Sequence, residues 1–235
     1  MTIERPQSAF RRRAARAGRA VVFGACALAA LPAGGCNILG PVATVISGPP
    51  KVEARYKLDP NRPTVIFIDD RASRVPQRAL RLAKSREAET VLMEKKAVRP
   101  DSMIASQGAM QFAASERSGS PYSIEEIGRS VGAEVVIFVS MESWALSRDG
   151  ATLSPAARAK VKVIDVKNGV RLFPTSDHQG YPMIAQMPVT TSSAPSTAGE
   201  INTVHAALAA FAGRELARLF FTSERDQFQG SFSDR

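Results

Sequence analysis

The chain has 235 residues, of which 44% are apolar and 23% are charged, and this predicts one folded domain of ordinary size with tails. The composition excludes collagen, a disulfide scaffold and a wholly disordered chain. No apolar run approaches the roughly 18 residues that a membrane-spanning helix needs, which excludes a polytopic membrane protein. Two histidines and two cysteines argue against a multi-ligand zinc site, and we expect no metal or cofactor.

The net charge of +9 is distributed unevenly along the chain. Residues 1–35 contain six arginines and one glutamate, which is more than half of the excess. Beyond them, basic residues alternate with acidic ones and form no basic stripe with interleaved aromatic residues. Nucleic acid is therefore not an expected partner.

The first 35 residues have the organisation of an export signal. Arginines between positions 11 and 19 precede the uncharged segment Ala20–Leu31, which is too short to span a membrane as a helix. The residues Ala33-Gly34-Gly35-Cys36 then resemble a bacterial lipobox, in which the peptide is cut before the cysteine. That resemblance implies a lipoprotein signal peptide and a Cys36 sulfur carrying diacylglycerol, with palmitate-like acyl chains. The alternatives are an ordinary secretory signal, an anchor that is retained, and a start codon other than Met1.

Residues 36–50 contain Gly-Pro and Gly-Pro-Pro steps, which are typical of a tether. The 14 residues after Cys36 would reach about 45–50 Å when fully extended. Asn37 stands where some lipoproteins retained at the inner membrane have aspartate, which favours an outer membrane and a domain facing the periplasm. The folded envelope domain is expected over 51–221, followed by a flexible tail over 222–235.

The first half of the domain predicts two strands and two helices around a short strand. Apolar residues alternate with charged ones over 51–58, which indicates a half-buried strand, and Thr64–Ile68 is apolar enough for a central strand. A helix is expected from Pro76, a short strand at 97–100, and a second helix capped by Asp101. The inward residues expected on these helices are Ala79, Leu80, Ala83, Val91 and Leu92, then Met103, Ile104, Met110 and Ala114.

The second half gives sharper local signals. Ser123 and Glu126 have the spacing of a capping box, and Gly132 suits the end of that helix. Apolar strands are expected over 135–146, over 158–166 and over 170–173. Asn168-Gly169 predicts a two-residue hairpin in which both residues adopt positive φ. Residues 188–199 are expected to form a mobile loop, and a C-terminal helix is expected from Ile201, Val204, Leu208, Ala212, Leu216 and Leu219.

This order of elements predicts an α/β fold, specifically a three-layer sandwich with a mixed sheet and an antiparallel hairpin edge. The passages 76–98 and 123–139 would supply the crossover units, and 158–173 the hairpin. The motif I-x-x-I-G-x-x-x-G-A-E-V-V-I-F-V at 124–139, followed by A-K-V-K-V-I-D-V-K-N-G at 159–169, is similar to a group of extracytoplasmic domains. The group includes the N-terminal domain of the Tol-Pal translocation protein, the curli-secretion lipoprotein and lipoprotein activators of penicillin-binding proteins. The resemblance implies this fold and an envelope location, without implying an activity.

Few residues are candidates for chemistry. Asp69 and Asp70 end a predicted strand, where α/β proteins place ligands, yet Arg71 beside them should lower a carboxylate's pKa. We therefore interpret them as an exposed turn that at most contacts a partner. His178 lies in a polar loop and His205 beside an apolar helix face, and neither has an evident nucleophile.

Aromatic residues supply the other candidate contacts. Trp144 is expected in the core, whereas Phe220 and Phe221 end a helix before a polar segment and are candidates for a partner contact together with Asp69, Asp70 and Arg71. The leading hypothesis is a membrane-anchored, non-enzymatic envelope lipoprotein whose domain binds another envelope or assembly component. The alternatives are an extracytoplasmic hydrolase and a homo-oligomeric subunit of a secretion assembly.

Overall fold

The computed structural model describes residues 51–116, 120–150, 152–188, 195 and 197–224. The predicted signal peptide, Cys36 and the tether lie outside these residues, as do most of the predicted 188–199 loop and the tail from 225 onward. The elements in chain order are β1 (Lys51–Val52), β2 (Thr64–Asp69), α1 (Arg78–Glu94), β3 (Met103–Ile104), α2 (Ser106–Ala114), α3 (Ile124–Ser130), β4 (Val135–Ala145), β5 (Ala156–Asp165), β6 (Val170–Phe173), β7 (Tyr181–Gln186), α4 (Ala198–Arg218) and β8 (Ser223–Glu224).

A six-stranded mixed sheet forms the centre of the fold. Its strand order is β3-β2-β4-β5-β6, and β7 pairs with the other half of the same edge of β5. β2 runs parallel to β3 and β4, whereas β5 runs antiparallel to β4, β6 and β7. The predicted α/β class, the mixed sheet and the antiparallel hairpin are confirmed. β7 was not predicted.

The two central strands are apolar on both faces because helices cover both. Val65 and Ile66 of β2 and Val136 and Ile137 of β4 have no solvent exposure. Such a strand needs no alternation of apolar and polar residues, which is why a continuous apolar run marks it in the sequence.

The helices form a layer on each side of the sheet. Lys84 of α1 contacts Met141 of β4, and a side chain at Gly128 of α3 would meet Val136 of β4. Positions 136 and 141 are an odd number apart in a strand, so their side chains point to opposite faces. α1 and α4 therefore cover one face, while α2 and α3 cover the other face over β2 and β4, and α3 also reaches β5.

The first predicted strand is largely wrong. Only Lys51–Val52 pairs with another strand, β8, and the backbone N–H groups of Arg55 and Tyr56 instead donate to the carbonyl of Leu219. The side chains over 51–58 still alternate between exposed and partly buried. The alternating pattern therefore predicted correctly which side chains are exposed, although residues 51–58 form no continuous β-ladder.

The first helix differs from its prediction in its start and its buried face. Gln77 is the N-cap, so Pro76 precedes the helix instead of occupying its first turn. Ala79 and Ala83 are exposed, which contradicts the inward positions expected for them. The buried face of α1 contains Leu80, Lys84, Ser85, Ala88, Glu89 and Leu92.

The short strand and the next helix lie further along the chain than predicted. Residues 97–100 form no strand, and the strand is Met103–Ile104, which had been expected inside a helix. α2 begins at Ser106, and Asp101 does not cap it. Glu89 of α1 takes that role, because its carboxylate accepts from both the backbone N–H and the hydroxyl of Ser106.

The local signals in the second half are mostly confirmed. Ser123 and Glu126 form the predicted capping box, and Gly132 has φ +75° directly after α3. The hairpin differs: β5 and β6 are joined by the four residues 166–169, and of Asn168 and Gly169 only Gly169 has positive φ. The Asp165 carboxylate accepts from the Asn168 N–H and stabilises this longer turn. The C-terminal helix is confirmed as α4.

Candidate functional site

A small crevice lies at the carboxyl end of β2. β3, the next strand in the sequence, lies on one side of β2, and β4 lies on the other side. Such a change of direction in the strand order is where α/β sheets commonly bind ligands. The cavity has a volume of about 140 Å³. Its charged lining residues come from β2, α1 and the end of α2, and are Asp69, Asp70, Arg71, Arg78, Arg81 and Glu116.

Asp70 is buried rather than in the exposed turn that the sequence predicted, with 8% of its surface exposed. One carboxylate oxygen accepts from the Arg74 N–H at 2.7 Å and the other from the Val75 N–H at 3.0 Å. Both oxygens therefore hold the loop that leads into α1. This role is structural. It could not be predicted from the sequence, because no sequence pattern shows which backbone N–H groups a carboxylate accepts from.

Asp69 is the carboxylate that faces the crevice. Its partner Arg71 lies 3.6 Å away and also contacts Glu116 at 3.0 Å. Burial raises the pKa of Asp69 and outweighs the opposing attraction of Arg71. The expected lowering of that pKa by Arg71 is therefore wrong in its net direction, because the sequence does not show desolvation.

The remaining arginines of the crevice come from successive turns of α1. Arg78 donates to the carbonyl of Met110 at 3.0 Å. The Nε of Arg81 is buried and has no hydrogen-bond acceptor among the described residues. The described residues lining the crevice include three arginines and three carboxylates, so their formal charges cancel, and Arg71 pairs with two of those carboxylates.

Lys84 lies fully buried on the other side of Asp70, and sequence reasoning missed it. Its Nζ contacts the sulfur of Met141 at 3.2 Å. Burial lowers the pKa of Lys84 to about 7, against the attraction of the Asp70 carboxylate. The available signal was periodicity, since Leu80, Lys84, Ala88 and Leu92 recur every four residues and share one helix face.

The two histidines have different surroundings, and neither lines the crevice. His178 is exposed, and its Nδ1 lies 3.3 Å from Arg171. His205 is half-buried, and its Nδ1 accepts from the Trp144 indole N–H at 2.9 Å. Burial lowers the pKa of His205, which favours the neutral ring that this hydrogen bond requires.

The two phenylalanines proposed as a contact have different environments. Phe220 is 3% exposed and belongs to the core, so it is not available to a partner. This corrects its prediction, which assumed that a helix end is exposed. Phe221 is half-buried, with the Lys95 ammonium 5.9 Å from its ring centroid, and only its remaining surface is free for a contact.

A basic row also lies on β5. Arg158, Lys160 and Lys162 occupy alternate positions of the strand, so their side chains share one face of the sheet. No basic stripe is evident among neighbouring residues of the sequence, because consecutive residues of a strand point to opposite faces of the sheet. The row becomes evident only when every second residue of β5 is read together.

Within the described part of the chain, no helix is both long enough and apolar enough to cross a membrane.

No protein family matches the sequence, and no curated protein matches it. Solved structures do match. PelC from Paraburkholderia phytofirmans, which forms a dodecamer, is 16% identical and matches with a TM-score of 0.35 over 75% of this chain and 97% of its own.

Two further similar structures come from other bacteria. The hypothetical protein CT253 from Chlamydia trachomatis is 15% identical, with a TM-score of 0.36 over 67% of this chain and 93% of its own. The lipoprotein GNA1162 from Neisseria meningitidis is 10% identical, with a TM-score of 0.31 over 62% and 93%. TM-scores below 0.5 do not establish a common fold, so these similarities assign the chain to no family. The resemblance to the Tol-Pal, curli-secretion and activator group stays a prediction.

Proposed function

We propose that this chain is a lipid-anchored, non-enzymatic protein of the bacterial envelope whose α/β domain binds another envelope or assembly component. The observation that carries the proposal is the segment before Cys36. A basic stretch, a 12-residue uncharged stretch and Ala33-Gly34-Gly35 precede that cysteine in the order that a lipoprotein signal requires. Acylation at Cys36 would give the domain a stable membrane attachment.

The geometry of the crevice supports a binding role. Asp70 uses both carboxylate oxygens to hold a loop, and Arg71 connects Asp69 to Glu116 across the opening. These side chains stabilise the rim of the crevice and present a mixed-charge surface. We infer that Asp69, Arg71 and Glu116 contact a polar segment of the partner, with the remaining exposed part of Phe221 as a separate candidate contact.

The tether supports a location close to a membrane. A length of about 45–50 Å for Asn37–Pro50 would let the domain move away from the lipid surface while remaining attached. Asn37, in place of the aspartate found in some inner-membrane lipoproteins, favours the outer membrane with the domain in the periplasm.

The proposal is tested by expressing two variants in a cell that lacks the native gene. Cys36→Ser should abolish membrane attachment and signal cleavage before residue 36, and mass spectrometry of the native protein should show a lipid-modified N-terminal cysteine. Asp69→Asn is the matched comparison. The Asp69→Asn protein should remain lipidated and should restore the function that the deletion strain lacks. A binding surface tolerates the loss of one charge better than the whole domain tolerates the loss of its membrane anchor.

Either of two results would contradict the proposal. One is a Cys36→Ser protein that is processed at the same site and stays on the membrane. The other is a folded, lipidated Asp69→Asn protein that still captures the same envelope partner and yet has lost all function. The second result would favour the hydrolase alternative, for which the specific observation is the raised pKa of Asp69 beside the crevice.

A further inference from the structure

One half of a sheet face carries no described helix. α2 and α3 pack over β2 and β4, and α3 also reaches β5, where Ile164 is 6% exposed. Further along this face, Arg158 of β5 and Pro182 and Ile184 of β7 are exposed, and no described helix covers them. The register places Ile184 of β7 directly beside Arg158 of β5, and Pro182 beside Lys160. Ile184 is 56% exposed, whereas its neighbour Ala185, on the opposite face under α4, is fully buried. We call the side chains at 158, 160, 162, 171, 182 and 184 the open face.

All ionisable side chains of β5, β6 and β7 that point to the open face are basic. Arg158, Lys160 and Lys162 follow one another on β5, and Arg171 of β6 lies beside Ile164, the next residue of that row. None of these four forms an ion pair with a described carboxylate. The row therefore concentrates positive charge that the domain itself leaves unbalanced.

Neighbouring groups extend this charge. A shallow depression beside Arg158 and Ile184 is also lined by Arg148, which adds a fifth cation at the end of the sheet. The acidic residues nearest to these cations in the sequence are Asp149, Asp165, Glu142 and Asp177. Asp165 lies beside Val135 on the opposite face, where it pairs with Arg62, while Asp149, Glu142 in the bulge of β4 and Asp177 in the β6–β7 connection are exposed. The charge on the open face is therefore predominantly positive.

We propose that the open face binds the anionic phospholipid headgroups of the membrane to which the protein is attached. Positive charges on a flat face attract an anionic bilayer at short range, and exposed apolar side chains among them can enter the interfacial region. Ile184 and Pro182 occupy such positions between the basic residues. This inference rests on the proposed lipid anchor only for the location of the domain, since the tether keeps the face within reach of a bilayer.

The same face is a poor fit for nucleic acid. Proteins that bind single strands combine basic residues with aromatic side chains on which bases stack. The aromatic residues of β6 and β7, Phe173 and Tyr181, lie opposite Val163 and Val161 of β5 and so point away from the open face. A headgroup layer needs positive charge and apolar contact without such stacking.

The test uses the unlipidated chain 36–235 carrying Cys36→Ser, which contains the whole described domain. Its sedimentation with vesicles of phosphatidylcholine containing about 30% phosphatidylglycerol is compared with vesicles of phosphatidylcholine alone. We expect binding to the anionic vesicles only, lost in about 0.5 M NaCl. The triple variant Arg158→Gln/Lys160→Gln/Lys162→Gln should bind at least about tenfold more weakly.

The control variant removes the same charge from the other side of the sheet. Arg86, Lys95 and Lys96 lie in or directly after α1 and are exposed, and their triple replacement by Gln should change binding by no more than about twofold. Thermal unfolding of both triple variants checks that they are folded. Ile184→Ser should weaken binding without changing its dependence on salt.

Three outcomes would overturn the proposal. They are equal binding of the wild-type chain to both kinds of vesicle, an equal loss of binding in the control variant, and binding of a duplex oligonucleotide through the same residues without binding to vesicles. Because the chain used has no acyl group, each outcome concerns the open face alone. Failure of the lipid anchor would be seen separately, in the mass of the native N-terminus.

Discussion

At the scale of single residues, Lys84 shows how a charge can be tolerated inside an apolar layer. Burial disfavours its charged form, and the pKa of about 7 means that the folded protein releases the proton near neutral pH. In the neutral state the amine can donate a hydrogen to the Met141 sulfur at 3.2 Å. The side chain otherwise fills space between α1 and the sheet, as methionine could.

We predict that Lys84→Met stabilises the protein and removes a pH dependence. Between the folded pKa of about 7 and the unfolded value of 10.5, the unfolded chain binds more protons, so wild-type stability should increase as pH rises. Near pH 7 the variant should gain up to a few kcal/mol, roughly 1.4 for each unit of lowered pKa. Urea unfolding at pH 7 and pH 10 measures both.

The free energies of unfolding of Lys84→Met and the wild type can be compared across the same pH interval. The variant should show little change of stability across that interval beyond the change due to other groups, and the two proteins should converge as the pH approaches 10.5. A Lys84→Met protein that is less stable than the wild type at pH 7 would show that the amine makes a net favourable interaction.

Residue-scale features were the hardest to predict from the sequence. The four-residue recurrence of Leu80, Lys84 and Ala88 was visible, but a lysine is assumed to be solvated unless a structure shows otherwise. Asp70 was interpreted as exposed because a strand end usually is, and its two backbone donors could not be identified without the loop geometry. Desolvation, which decides the pKa of Asp69, is likewise a property of the packed molecule.

At the scale of elements, α1 and α4 approach each other closely at Gly213. A Cβ added at Gly213 of α4 would lie 2.5 Å from the Lys84 carbonyl oxygen and 2.7 Å from the Glu87 Cβ. The two backbones therefore approach so closely that only glycine fits. At Gly199, near the start of the same helix, such a Cβ would meet no described atom within 4 Å apart from its chain neighbours and the backbone of its own helix.

We predict that the same substitution at these two glycines has opposite effects. Gly213→Ala should destabilise the protein by about 1–3 kcal/mol, because α1 and α4 must separate to accommodate the methyl group. Gly199→Ala should leave stability unchanged or raise it by up to about 1 kcal/mol, because alanine loses less backbone entropy in a helix. Chemical denaturation of both variants measures these changes in stability. Equal changes in the two variants would contradict the close contact between α1 and α4.

Elements were predictable in proportion to their length and burial. β2 and β4 are continuous apolar runs, and α4 repeats apolar residues over six turns, so each dominates its local sequence. β3 has only two paired residues, and β7 contains Pro182, which argues against a strand when read alone. Both are edge strands whose pairing is decided by a neighbour distant in the sequence.

At the scale of the whole molecule, the beginning and the end of the described domain are joined. β1 pairs with β8, and the N–H groups of Arg55 and Tyr56 donate to the Leu219 carbonyl at 2.8 and 3.1 Å. The sequence predicted a domain ending at 221 and a tail from 222. Ser223–Glu224 instead belongs to the paired structure, because its partner strand lies at the other end of the chain.

Shortened chains measure how much the pairing of β1 with β8 and the end of α4 stabilise the fold. We compare chains that begin at residue 36 with Cys36→Ser and end at Glu224, Phe221 or Leu219. Ending at Phe221 removes only the exposed pairing of β8 with β1 and should cost about 1 kcal/mol. Ending at Leu219 also removes Phe220, which is 3% exposed, and should cost about 3–5 kcal/mol more, as for other buried phenylalanines.

Urea unfolding of the three chains separates a core role of Phe220 from a contact role. If Phe220 were a surface anchor for a partner, the chain ending at Leu219 would unfold at nearly the same urea concentration as the chain ending at Phe221. A large loss of stability at this one step would show that the end of α4 completes the core. Phe220→Ala in the chain ending at Glu224 should reproduce most of that loss, whereas Phe221→Ala should cost less, because Phe221 is only half-buried.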